Sequence, residues 1–138
     1  MFDKYCSLTI AWRIQMDKQE LIKLAFEARE HSYSPYSGFC VGAALLTSGG
    51  KVYQGCNVEN ASYGAAICAE RNAAMKAVYD GERRFEAIAI CGYPRGGRPE
   101  DAGFAYPCGI CRQALSEFCA PQMPVLVVRG EGDWRWYT

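Results

Sequence analysis

Two short stretches of the chain carry thiols at spacings suited to chemistry: Cys68-Ala69-Glu70-Arg71 and Pro107-Cys108-Gly109-Ile110-Cys111. A C-x-x-C pair at a helix start can be a redox couple, a disulfide or half of a metal site, because the helix dipole favours thiolate. Thioredoxin-like proteins carry the pair after the first strand of the domain, whereas here it follows most of the sheet-forming sequence. A metal site needs further ligands, and Cys68 offers one in similar surroundings, 40 positions before Cys108. Three thiolates around Zn²⁺ leave one net negative charge, which Arg71 is placed to offset by donating to sulfur. A structural zinc takes four protein ligands, while a catalytic zinc keeps a position for water. Three ligands are in view, and Cys56 is the leading spare thiol. His31, the only histidine, reads as an exposed or capping residue. Glu70, two residues after Cys68, stands where a proton shuttle beside an open metal position belongs. The dipole alone also favours a glutamate in a first helical turn.

The surrounding sequence supplies elements to position these residues. Asp17 precedes a helical run with Glu20 as capping-box partner and apolar Leu21, Leu24, Ala25 and Ala28 at helix spacing, predicting a helix over about 18–33. Two β-type runs, about 41–47 and 51–56, flank Ser48-Gly49-Gly50 and read as a hairpin. The stretch from Cys68 to Gly81 is a helix ended by glycine, FEAIAIC (85–91) a strand, the stretch from Cys108 to Cys119 a helix, and PVLVV (124–128) a strand. The order αββαβαβ predicts a single three-layer α/β/α domain with a mixed central sheet. Two adjacent parallel strands joined through a helix would set two helix N-termini side by side, so that the three thiols meet.

Composition narrows the function classes. The 138 residues suffice for one domain, half of them are hydrophobic, and 15 basic residues balance 15 acidic ones. Disorder and a strongly basic nucleic-acid surface are both disfavoured, and a small partner is the better default. The apolar run Ser7–Trp12 is too short and too closely flanked by charge to be a signal peptide or a membrane span. A cytoplasmic address is therefore expected, where eight cysteines are reduced thiols or metal ligands. Cys40, Cys56, Cys91 and Cys119 lie in or beside apolar stretches and read as small core hydrophobes.

Cys68-Ala69-Glu70-Arg71 followed by Pro107-Cys108-Gly109-Ile110-Cys111-Arg112-Gln113 resembles the signature of the zinc nucleobase deaminases in its three-cysteine form. With SPYSGFCVGAALL (34–46) and GCNVENASYG (55–64), the chain is similar to the small homotetrameric zinc-dependent cytidine deaminases over about residues 18–129. The resemblance implies one Zn²⁺ per chain on Cys68, Cys108 and Cys111, with Glu70 as the catalytic proton carrier and Arg71 beside the sulfurs. It implies substrate contacts from Phe39 to the pyrimidine, from Asn57 and Glu59 to the ribose hydroxyls, and from Ala69. The implied reaction is hydrolysis of cytidine, 2′-deoxycytidine or both to the uracil nucleoside and ammonia, in pyrimidine salvage. A nucleoside is then the partner, with no membrane or nucleic acid, and the assembly a homotetramer.

Three alternatives stand beside this reading: a zinc- and nucleoside-binding relative without turnover, a deaminase of another cytosine nucleoside such as blasticidin S, and a dithiol redox protein. Residues 1–15 read as an N-terminal extension of unknown role, and 16–138 as the deaminase-like domain. The chain stops where relatives continue into a tail whose phenylalanine closes a neighbour's site, so Trp134, Trp136 and Tyr137 are candidates to replace that aromatic.

Overall fold

The computed structural model describes residues 18–130 and 132–138. The expected extension over residues 1–15 and the Asp17 cap lie outside the described residues. Helix α1 spans residues 18–29. Strands β1 (Phe39–Thr47) and β2 (Val52–Cys56) form the hairpin, helix α2 (Ala69–Tyr79) leads to β3 (Phe85–Pro94), and α3 (Gly109–Ser116) leads to β4 (Val125–Gly130). One more strand, β5 (Asp133–Tyr137), extends the expected order to αββαβαββ.

The five strands lie in the order β2-β1-β3-β4-β5. Among the strands of the described residues only β3 and β4 pair in parallel; the other three pairings are antiparallel. Because β2 and β3 both run antiparallel to β1, they point the same way without touching. The crossover through α2 therefore passes over β1, while α3 joins true parallel neighbours. Helices α2 and α3 consequently start at the same end of the sheet.

Alternation along the strands builds two cores. Ala43, Leu45, Ile88 and Ile90 face α2 and α3, meeting Ala69, Ala73, Ala77 and Leu115. Ala44, Leu46, Ala87, Ala89 and Cys91 face the other way, onto Leu21, Ile22 and Ala25 of α1. Each fully buried Leu or Ile contributes about 1.5–3 kcal/mol of burial. Glycines set the spacing between layers. A Cβ on Gly55 would lie 2.3 Å from the Ala69 carbonyl oxygen, and one on Gly42 2.1 Å from that of Ala25, so strand and helix backbones touch on both faces.

Helix α1 ends four residues earlier than its periodicity predicts. The Ser32 hydroxyl donates to Asn57 Oδ1 and the Tyr33 N–H to the Asn57 carbonyl (3.0 Å), pulling the chain out of the helix towards the end of β2. Cys40 and Cys91 are buried, and desolvation raises the Cys91 thiol to about 12. Cys119 is half-buried and packs against the core, whereas Cys56, also half-buried, joins neither core, a correction to its reading as a core residue; its thiol donates to the His31 carbonyl at 3.3 Å. Among the described residues no helix is long and apolar enough to cross a membrane.

Candidate active site

Cys68 and Cys108 are the N-cap residues of α2 and α3, both with extended backbone. Since the two helices start together, their N-terminal partial charges converge. Cys111, one turn into α3, is buried, and its N–H donates to Cys108 Sγ (3.4 Å). Cys68 Sγ stands 3.8 Å from Cys108 Sγ, which is 3.4 Å from Cys111 Sγ. These three thiols form a metal-competent group; His31 is exposed, and neither it nor Cys56 belongs to the group.

Electrostatics couples these thiols to their neighbours. Cys68 is held down to about 5, first by a hydrogen bond from Cys111 and then by Arg71, whose Nη2 lies 3.9 Å from the sulfur. Cys111, the donor in that bond, is raised accordingly. Glu70 is 4% exposed, with Oε2 3.8 Å from Cys111 Sγ. Burial pushes its carboxyl up to about 7, and the Cys68 thiolate adds to the effect.

The donor set fits zinc. Sulfurs at Zn–S distances near 2.3 Å on a tetrahedron are about 3.8 Å apart, close to the separations here. Arg71 also keeps a buried Nε without a partner, a spare donor beside sulfurs that become anionic on metal binding. Cys68, Cys108 and Glu70 line a cavity of about 410 Å³ shared with Phe39, Asn57, Glu59 and Ala69, and Cys111 lies buried behind it.

Residues 15–127 match the cytidine and deoxycytidylate deaminase zinc-binding region. The chain belongs to the cytidine deaminase family. A cytidine deaminase of Sporosarcina psychrophila is 47% identical over 118 residues, covering 86% of this chain and 82% of that protein. The crystal structure of cytidine deaminase from Burkholderia pseudomallei superimposes with a TM-score of 0.76 at 47% identity, covering 86% of this chain and 90% of the other. A blasticidin-S deaminase of Bacillus cereus is more distant, at 28% identity over 117 residues.

In this member of the cytidine deaminase family the remaining cavity residues hold one loop in shape. Asn57 Oδ1 accepts from Ser32 Oγ and the Val41 N–H (2.9 Å), and Nδ2 donates to the Phe39 carbonyl (2.9 Å). An amide has two donors and two lone pairs, so one N–H remains for a ligand. The Glu59 carboxylate accepts from the backbone N–H groups of Tyr36 and Ser37 and from the Ser37 hydroxyl. That hydroxyl bond is the main reason its carboxyl lies below the ordinary range.

Sequence reasoning missed two residues of this deaminase fold. Gly92 on β3 leaves room for the Phe39 ring: a Cβ there would come within 2.9 Å of both Phe39 Cε1 and Ala105 Cβ. Tyr106 lines the thiol cavity and also a second cavity of about 450 Å³ between α3 and the last two strands. Of the three aromatics considered as a closure, none lines the thiol cavity. Trp134 packs on the α1 face, with Lys18 Nζ 3.4 Å above its ring, and Trp136 alternates to that same face. Tyr137 points to the opposite face and bonds Tyr106.

Proposed function

We propose that the protein catalyses hydrolytic deamination of cytidine and 2′-deoxycytidine, with one Zn²⁺ per chain held by Cys68, Cys108 and Cys111. The observation that carries this reading is the convergence of three thiols beside one buried carboxyl, at the wall of a cavity lined by two of the thiols and by that carboxyl. When bound, zinc supplies Lewis acidity that brings the pKa of water to about 7.

The chain's own groups account for the rest. Phe39 and Ala69 border the pyrimidine, and Asn57, with one free N–H, and Glu59 receive the sugar hydroxyls. Water adds to carbon 4 of the ring, and Glu70 takes the proton it sheds and delivers it to ring nitrogen 3. The remaining hydroxyl proton passes by the same carboxylate to the amino group. Ammonia then leaves and the carbonyl of uridine forms. A carboxyl poised near neutrality suits both directions of transfer, and Arg71 steadies the anionic sulfurs. The cytoplasm, pyrimidine salvage and a homotetramer complete the proposal. The greater distance of the blasticidin-S deaminase supports cytidine over that substrate.

The test is ammonia release from each nucleoside by metal-assayed protein, beside Glu70→Gln. Turnover in the parent and its loss in the fully metallated variant support the proposal. One zinc per chain with no ammonia from either nucleoside would overturn it in favour of a binding protein.

A further inference from the structure

We infer that Tyr106 is a specificity-determining wall of the site, held in place by β5, which limits the size of a substituent on the pyrimidine beside the reacting carbon. The inference rests on the deaminase reading, which sets the reacting carbon beside Glu70 and the thiols.

Tyr106 stands two residues before Cys108, within about 7 Å of chain reach from that thiol's backbone. Pro107 follows it and restricts its backbone to extended conformations, so the ring is aimed by side-chain torsions alone. Those torsions are tethered. The phenol oxygen lies 3.0 Å from Tyr137 Oη and 3.5 Å from Arg135 Nη1, and the two tyrosine rings pack edge to face at 5.4 Å. Tyr137 and Arg135 both belong to β5, and neither lines the thiol cavity. The hydroxyl is thus spent on Tyr137 and Arg135, and the residue that carries it lines the thiol cavity.

The loop carrying Tyr106 is fixed from β5 and its neighbour β4. Arg135 lies 4.3 Å from the centre of the Phe104 ring and Arg129 5.1 Å, while Arg129 Nε donates to Asp133 at 2.6 Å. The other tyrosine of the cavity, Tyr63, is 97% exposed and has no comparable hold. Tyr106 is therefore a braced partition between the thiol cavity and the apolar cavity behind it. A substituent projecting from ring carbon 5, next to the reacting carbon 4, runs into this partition. Shortening the side chain joins the two cavities and gives the substituent somewhere to go.

The experiment measures kcat/KM for cytidine and for 5-methyl-, 5-ethyl- and 5-propylcytidine with the parent, Tyr106→Ala, Tyr106→Leu, Tyr106→Phe and Tyr137→Phe, each assayed for zinc and folding. The parent should fall off steeply along the series. Tyr106→Ala should shift the preference towards the larger substrates by about tenfold or more, the scale on which an apolar wall discriminates small groups. Tyr106→Leu should do so less and serves if the alanine variant does not fold. Tyr106→Phe keeps the ring, and with Tyr137→Phe it should give a small shift that the double variant does not exceed, as expected for two ends of one tether. A purely structural Tyr106 would lower every rate equally and leave the preference unchanged, and that result overturns the inference. A parent inactive on all nucleosides would instead overturn the proposed function. The wall is then read by calorimetric binding of the same series, where an unaltered size preference in Tyr106→Ala overturns it.

Discussion

Cys68, Cys108, Cys111 and Glu70 come from the first turns of two helices seated on the sheet by Ala69, Ala73, Ala77 and Leu115, and their polar atoms mostly face one another. Asn57 and Glu59 come from irregular backbone between β2 and α2, and most of their hydrogen-bonding capacity is spent on residues 36–41. The first group is rigidly placed and chemically uncommitted; the second is committed to shaping a loop and keeps little in reserve. Chemistry on this scaffold therefore belongs to the residues whose demands the fold leaves unmet.

The contrast can be broken most severely at Cys108. Cys108→Ala should lose the metal, all measurable turnover and much of the thermal stability, because metal binding and folding are coupled. Metal analysis with a thermal melt checks this, and a fully metallated variant would mean that another thiol, Cys56 first, serves. Glu70→Gln should keep metal and fold while turnover drops by about 10²–10⁴-fold or more, the worth of a positioned proton carrier; comparable rates in the two proteins would remove Glu70 from that role.

Gly55→Ala tests whether the thiol group depends on the seating of α2. Its methyl would meet the α2 backbone, so denaturant titration should show a loss of about 1–3 kcal/mol, typical of overpacking, with metal affinity falling in parallel. Unchanged metal affinity would show the thiols to be independent of that contact.

The smallest effect belongs to the loop group. Glu59 sits below the ordinary carboxylate range, so its hold on residues 36–37 is complete above that range and fades as pH falls through the lowered value. Ser37→Ala removes the leading cause and should move the NMR titration midpoint of the Glu59 carboxyl upward, making the hold fade at a higher pH. An unmoved midpoint would show that the backbone N–H groups suffice.

Most of the fold was legible because its elements are strongly patterned: short apolar runs of strand length in β1 and β3, an alanine stripe in α2 and glycines at the turns. The thiol group was legible too, since Cys68, Glu70, Cys108 and Cys111 sit at spacings that local geometry explains. The roles given to Phe39, Asn57 and Glu59 came only through family resemblance, because an asparagine in a turn and a buried phenylalanine have commoner structural uses. Strand β5 was missed although Asp133-Trp134-Arg135-Trp136-Tyr137 does alternate, because its aromatics were weighed as a closure of the site: Trp134 and Trp136 share one face with α1, while Arg135 and Tyr137 share the other with Tyr106. Tyr106 was invisible for another reason. It lies in a loop rich in glycine and proline, and its partner is 31 residues away. The early end of α1 depended on Asn57, 25 residues from Ser32. Such long-range pairings leave no periodic trace.

The glycine contacts beneath α1 and α2 have a thermal consequence. Where leucines separate a helix from a sheet, warming frees rotamers and the layers loosen well before the protein unfolds. At Gly42 and Gly55 the helices rest directly on strand backbone, which has no rotamers to free. The thiols at the start of α2 should thus hold their spacing almost up to the melting temperature, and on heating the protein should stop working only as it comes apart.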